Sequence, residues 1–120
     1  RGRTPRASAN GLSTPQLRRV TEYIEAHLDR NLSLARLAVV AGLSATTLKT
    51  SFRRATGVTV HAYVVRRRVE RAQALLARGD RSVGEVALEA GFAHQSHLAR
   101  WMRRLHGVTP RAVARGANGQ

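Results

Sequence analysis

The feature that most constrains this chain is that part of it occurs twice. SLARLAVVAGL (33–43) lies over SVGEVALEAGF (82–92) without a gap at an offset of 49 residues, matching Ser, two Ala, Gly and the apolar positions. Downstream, after one inserted residue, Leu48 pairs with Leu98, Phe52 with Met102, Arg53-Arg54 with Arg103-Arg104, and Gly57 with Gly107. Two copies of one supersecondary unit leave little freedom: whatever fold the first takes, the second shares. Each copy carries what a helix-turn-helix requires. A small residue (Ala38, Ala87) lets two helices approach, a glycine four positions on (Gly42, Gly91) makes the turn, and an apolar residue (Leu48, Leu98) anchors the second helix.

The rest of the chain has the same helical period, so the fold class is all-α, with about seven helices. Thr14 reads as N-cap of the first helix with Pro15 at its first position, and Leu17, Val20, Ile24 and Leu28 form its apolar stripe. Helices then follow Ser33 and Ser44, and a longer one runs from Thr59 to about Ala77. Ser82 with Glu85 forms a capping box for the next, a sixth spans about His94–His106, and a short seventh follows Thr109-Pro110. Gly42, Gly57, Gly79, Gly91 and Gly107 supply the stops. The expected division is a flexible basic linker or tail over 1–13, a first helix-turn-helix subdomain over 14–58, and a linker helix over 59–78. A second subdomain over 79–116 and a tail over 117–120 complete it. The chain starts at Arg1 without a methionine, which points to a fragment of a longer protein.

Charge narrows the function. Twenty-one Lys and Arg against seven Asp and Glu give a formal charge of +14, and neither 30–69 nor 90–120 contains an acid. Both acid-free stretches cover the second helix of a repeat, which argues for a polyanionic partner, nucleic acid first. The absence of cysteine excludes disulfide scaffolds, thiolate zinc sites and thiol nucleophiles. No run is long and apolar enough for a bilayer span. There is no paired-carboxylate site, Gly-rich phosphate loop or supported Ser-His-Asp arrangement, so the reading is not an enzyme and implies no cofactor. His94 and His97 have a spacing that suits a metal, yet no carboxylate or thiolate completes a site. Trp101 reads as core, packed with Leu98, Met102 and Leu105, and Arg68, four residues before Ala72, lies near the buried stripe as a structural candidate. Charge alone leaves a non-specific architectural or RNA-binding domain open, as well as a module for an acidic protein partner.

These residues resemble the DNA-binding domain of the AraC-type (AraC/XylS) family of bacterial transcription regulators. The match is carried by Phe52-Arg-Arg-Ala-Thr-Gly57, by Tyr63, Arg68, Ala72 and Leu75-Leu76, and by SVGEVALEAGFAHQSHLARWMRRLHGVTP from Ser82 to Pro110. The resemblance implies sequence-specific double-stranded DNA binding by the C-terminal output domain of a bacterial transcription regulator, activator or repressor, with two recognition helices in successive major grooves. It places Thr46, Lys49 and Thr50 on the DNA face of the first helix and Gln95, Ser96 and Arg100 on that of the second. Side-chain chemistry agrees in part: Arg pairs with guanine O6/N7, Gln with adenine N6/N7, and Ser or Thr with either. Ser44, Arg53, Arg54, His94, His97, Arg103 and Arg104 are the expected phosphate or peripheral contacts. Implied partners are duplex DNA, RNA polymerase and a removed N-terminal effector-binding or dimerisation domain, with a cytoplasmic, nucleoid location and no membrane. Thr50 stands where the family often has arginine, so the first unit is expected to read bases more weakly than the second. Trp101, Met102, His106 and Val113-Ala114 also depart from the family pattern.

Overall fold

The computed structural model describes residues 12–119, and for 117–119 the backbone alone. The described residues form seven helices and no strand: α1 Thr14–Ala26, α2 Leu34–Ala41, α3 Ala45–Thr56, α4 Val60–Arg78, α5 Val83–Glu89, α6 Gln95–His106 and α7 Pro110–Gly119. They divide into two compact units. The first holds the described residues through His27 and Asn31–Val64; the second holds Leu28–Arg30 and the described residues from Val65 on, so the boundary falls inside α4. The segment expected to link two subdomains contributes its first turn to one unit and the remainder to the other.

In the first unit α1 packs on α2 and α2 on α3. Val20 and Ile24 of α1, Leu37, Ala38 and Ala41 of α2, Leu48 and Phe52 of α3, and Val60 and Val64 of α4 are buried. The start of α1 corrects the expected cap. Ser13, not Thr14, is the N-cap, and Pro15 is the second helical residue. Ser13 Oγ accepts from the Gln16 N–H (3.2 Å) while Gln16 Oε1 accepts from the Ser13 N–H (3.0 Å). This reciprocal box satisfies two donors, whereas a Thr14 cap would satisfy one. The Gln16 amide also donates to the Ala41 carbonyl (3.2 Å), fastening the first turn of α1 to the end of α2. Leu12, which the sequence pattern assigns to the tail, is buried; residues 1–11 lie outside the described residues.

The second unit repeats the arrangement around a core of Val65, Val69, Ala72, Leu75, Leu76, Val86, Ala87, Ala90, Phe92, Leu98 and Met102. The box at Ser82 and Glu85 is formed, and α7 packs against α5 and α6. Trp101 sits at the margin of this core, half-buried, with the Arg104 guanidinium 5.1 Å from its ring centroid. The helix after Thr109 runs to Gly119, past the expected end of the subdomain.

Arg68 is structural. Its Nε donates to the Leu28 carbonyl (3.0 Å) and its Nη2 to the Arg30 carbonyl (2.6 Å), both in the tripeptide that belongs to the second unit. Burial lowers the pKa of this guanidinium from its ordinary value. Gly91 lies directly over it. A Cβ there would collide with the Leu28 carbonyl oxygen and stand 2.6 Å from Arg68 Nε, and φ is +101°. At Gly42, with φ +74°, the same Cβ would meet nothing within 4 Å.

Candidate nucleic-acid interface

Each unit presents its second helix on the same local scaffold. In the first turn the Leu43 N–H bonds the Ala38 carbonyl (2.9 Å); in the second the Phe92 N–H bonds the Ala87 carbonyl (2.8 Å), the same six-to-one closure. The inserted residue falls in the second of these turns, where Phe92, Ala93 and His94 stand between Gly91 and α6, against Leu43 and Ser44 between Gly42 and α3. Both following helices are 12 residues long and close on a left-handed glycine, Gly57 or Gly107, whose N–H bonds the carbonyl of Arg53 (2.8 Å) or Arg103 (2.9 Å). The duplication is thus structural as well as textual.

Anchoring decides which side faces out. Leu48, Ser51 and Phe52 turn α3 inward, and Leu98 and Met102 do the same for α6. Opposite them, Thr46, Lys49, Thr50 and Arg53 recur at i, i+3, i+4 and i+7, a single exposed face. On α6 the equivalent positions hold Ser96, Ala99, Arg100 and Arg103. All thirteen residues expected at the interface are exposed: Ser44, Thr46, Lys49, Thr50, Arg53, Arg54, His94, Gln95, Ser96, His97, Arg100, Arg103 and Arg104. Gln95 stands at the edge of its face. Its Oε1 lies 3.4 Å from where a Cβ of Gly84 would be, so the side chain leans toward α5.

The two faces differ at their N-terminal ends. Ser44 Oγ accepts from the Thr47 N–H (3.1 Å) and donates to Thr47 Oγ1 (2.9 Å), capping α3. The corresponding pair in α6 is His94 and His97, edge-to-face with ring centroids 5.2 Å apart, and His94 makes no side-chain cap bond. Among the described residues no group of three His, Cys, Asp or Glu is placed to hold a metal.

Beside each face is a depression bounded by the capping threonine of the next helix. Lys49, Thr50, Arg53, Arg54 and Thr59 line the first; Val83, Gln95, Ala99, Thr109, Pro110 and Arg111 line the second. Thr59 caps α4 through the Ala62 N–H (3.0 Å) and Thr109 caps α7 through the Ala112 N–H (3.1 Å). Thr59, Ala99 and Arg111 are additions to the residues expected at the interface. Laying Lys49 over Ala99 in the repeat is the signal that flags Ala99; nothing in the sequence pattern flags Thr59 or Arg111.

No acid lies on either face. Glu70 pairs with Arg67, Glu89 with Arg81, and Asp80 with Arg78 at 3.3 Å, while Glu85 is committed to its capping box. These surfaces can therefore attract phosphate while offering uncharged and cationic donors to base edges. No helix of the described residues is long and apolar enough to cross a membrane.

A family model described as a helix-turn-helix domain matches residues 37–116. The probable transcriptional regulator LumQ of Photobacterium leiognathi is 36% identical over 91 residues, 76% of this chain and 37% of LumQ. The XylDLEGF operon transcriptional activator 1 of Pseudomonas putida is 38% identical over 99 residues, 80% of this chain and 30% of that protein. The chain thus spans about a third of the length of these curated relatives. Among solved structures, a probable AraC family transcriptional regulator from Rhodopseudomonas palustris CGA009 superposes with a TM-score of 0.78 at 31% identity, covering 87% of this chain and 98% of that one. The DNA-binding domain of the global transcriptional factor AdpA, solved in complex with a target DNA, gives 0.78 at 33% identity, covering 88% and 97%.

Proposed function

The chain belongs to the AraC-type helix-turn-helix family of transcription regulators, and from that premise we propose that it is a sequence-specific reader of double-stranded DNA, with α3 and α6 as its recognition helices. One observation carries the reading: two helices of equal length, on duplicated scaffolds, each turn an exposed, acid-free face outward. A non-specific basic domain needs the charge but has no need of the matched register. The similar AdpA domain, held on a target DNA in its own crystal structure, supports the same reading.

In this proposal Thr46, Lys49 and Thr50 read bases for the first unit, and Gln95, Ser96 and Arg100 for the second. Ser44, Arg53, Arg54, His94, His97, Arg103 and Arg104 engage phosphates or the periphery. Arg100 is the chief discriminator, because a guanidinium fork matches the O6/N7 edge of guanine and Thr50, its counterpart, has one hydroxyl. The domain division belongs to the same proposal: 14–58 and 79–116 as readers and 59–78 joining them. RNA polymerase and an N-terminal effector-binding or dimerisation domain are proposed partners on family likeness alone.

The test is selection from a random duplex library at near-physiological salt. A bipartite, asymmetric motif with blocks about one helical turn apart is expected. Retention with no enriched sequence overturns the proposal in favour of an architectural role.

A further inference from the structure

Ala99 is at the centre of the α6 face. It is half-buried, with Gln95 and Ser96 one turn before it, Arg103 one turn after, and Arg100 beside it. The same position on α3 is the exposed Lys49. The depressions differ accordingly. Both expose mainly apolar surface, but three cations, Lys49, Arg53 and Arg54, border the first, whereas Val83, Ala99 and Pro110 border the second with Arg111 as its one charged residue. Clustered cations suit oxygen atoms, and a small apolar side chain at the centre of the face, beside charged and hydroxyl donors, suits a small apolar group on an otherwise polar partner. In the major groove the 5-methyl of thymine is that group, and alanine is among the side chains that contact it. The stretch 90–120, acid-free and bearing Arg100, Arg103 and Arg111, supplies the charge complementarity that brings a DNA edge to this place.

We propose that Ala99 is a specificity residue for the 5-methyl group of a thymine in the block read by the second unit, and that the first unit has no such methyl requirement at Lys49. The inference rests on the DNA-reading function proposed above and names what one position of the site selects. Ala99 acts by shape and dryness: its methyl and the apolar lining beside it gain contact with the thymine methyl, while cytosine or uracil leaves a bare ring edge there. Arg100, one residue on, is left to pair with guanine.

The experiment uses the whole 120-residue chain and the duplex enriched by selection, with each thymine replaced in turn by uracil, which removes the methyl and keeps every hydrogen-bonding atom. At one thymine of the second block the substitution is expected to weaken binding about fourfold, the equivalent of burying one methyl. Ala99→Gly and Ala99→Ser are expected to bring the thymine-to-uracil ratio at that position to near one. Because the ratio compares two duplexes on one protein, any change in helix stability cancels. Binding to the selected duplex with no sensitivity at any thymine of the block overturns the methyl assignment and leaves DNA reading intact. A sensitivity that survives both Ala99 variants assigns the methyl contact elsewhere and overturns the role of Ala99. Failure to enrich any sequence takes down the DNA-reading function, and this inference with it.

Discussion

The two helix-turn-helix units share a backbone plan and differ in what secures it and what it displays. In the first, the turn glycine has open space around its missing side chain, and the recognition helix is capped by its own serine. In the second, the turn lies over a guanidinium that binds two carbonyls from a distant tripeptide, and the recognition helix starts at a histidine with no cap bond. The display is reversed in emphasis: Lys49 flanked by threonines on one face, Arg100 beside a small Ala99 on the other. A duplicated scaffold thus keeps the closures that set helix direction and lets supporting contacts and readout diverge. The six-to-one turn and the left-handed glycine stop recur in both units.

The largest test of this asymmetry is at the turn glycines. Gly91→Ala combines a left-handed backbone with a collision against the Leu28 carbonyl and Arg68, and should lose about 3–5 kcal/mol of unfolding free energy, while Gly42→Ala loses about 1–2. Urea denaturation of both variants checks this; equal losses would break the comparison. Arg68→Ala should cost about 1–3 kcal/mol by the same measurement, because the part-buried Leu28 carbonyl and the exposed Arg30 carbonyl lose their donor. Arg68→Lys should recover only part of that, since an ammonium lacks the fork.

The readout side follows. Arg100→Ala is expected to cost about 1–3 kcal/mol of binding and to relax preference at one base pair, whereas Arg53→Ala or Arg103→Ala should weaken all sequences evenly and lower the salt slope by about one. Titrations over a range of salt, on matched and mismatched duplexes, separate the two behaviours. The smallest effect concerns capping: Ser44→Ala should destabilise by about 1 kcal/mol and His94→Ala by far less, read from thermal melts.

The fold is legible in the sequence where local chemistry sets it. Ser33, Ser44, Ser82 with Glu85, and the glycine stops each act within four or five residues, and the repeat doubles the weight of every one. The start of α1 is ambiguous at that level because Thr14-Pro15 and Ser13-x-x-Gln16 are both valid openings, and the second wins by satisfying donors in both directions. Arg68 is legible only as a residue near the buried stripe. Its acceptors lie 38 and 40 residues away, and no periodicity connects them. At the interface the exposure of Thr46, Lys49, Thr50, Ser96 and Arg100 follows from the anchors Leu48 and Leu98. The lean of Gln95 and the apolar recess at Ala99 depend on α5 and on the start of α7, which approach α6 only once the unit has folded.

Two non-equivalent recognition helices should leave separate marks on a selected motif when the duplex selection is repeated with Arg100→Ala and, separately, Thr50→Ala. Arg100→Ala is expected to erase a guanine from one block and leave the other unchanged, and Thr50→Ala to alter the other block weakly. Identical changes in both blocks, or an unchanged motif with Arg100→Ala, would contradict that non-equivalence.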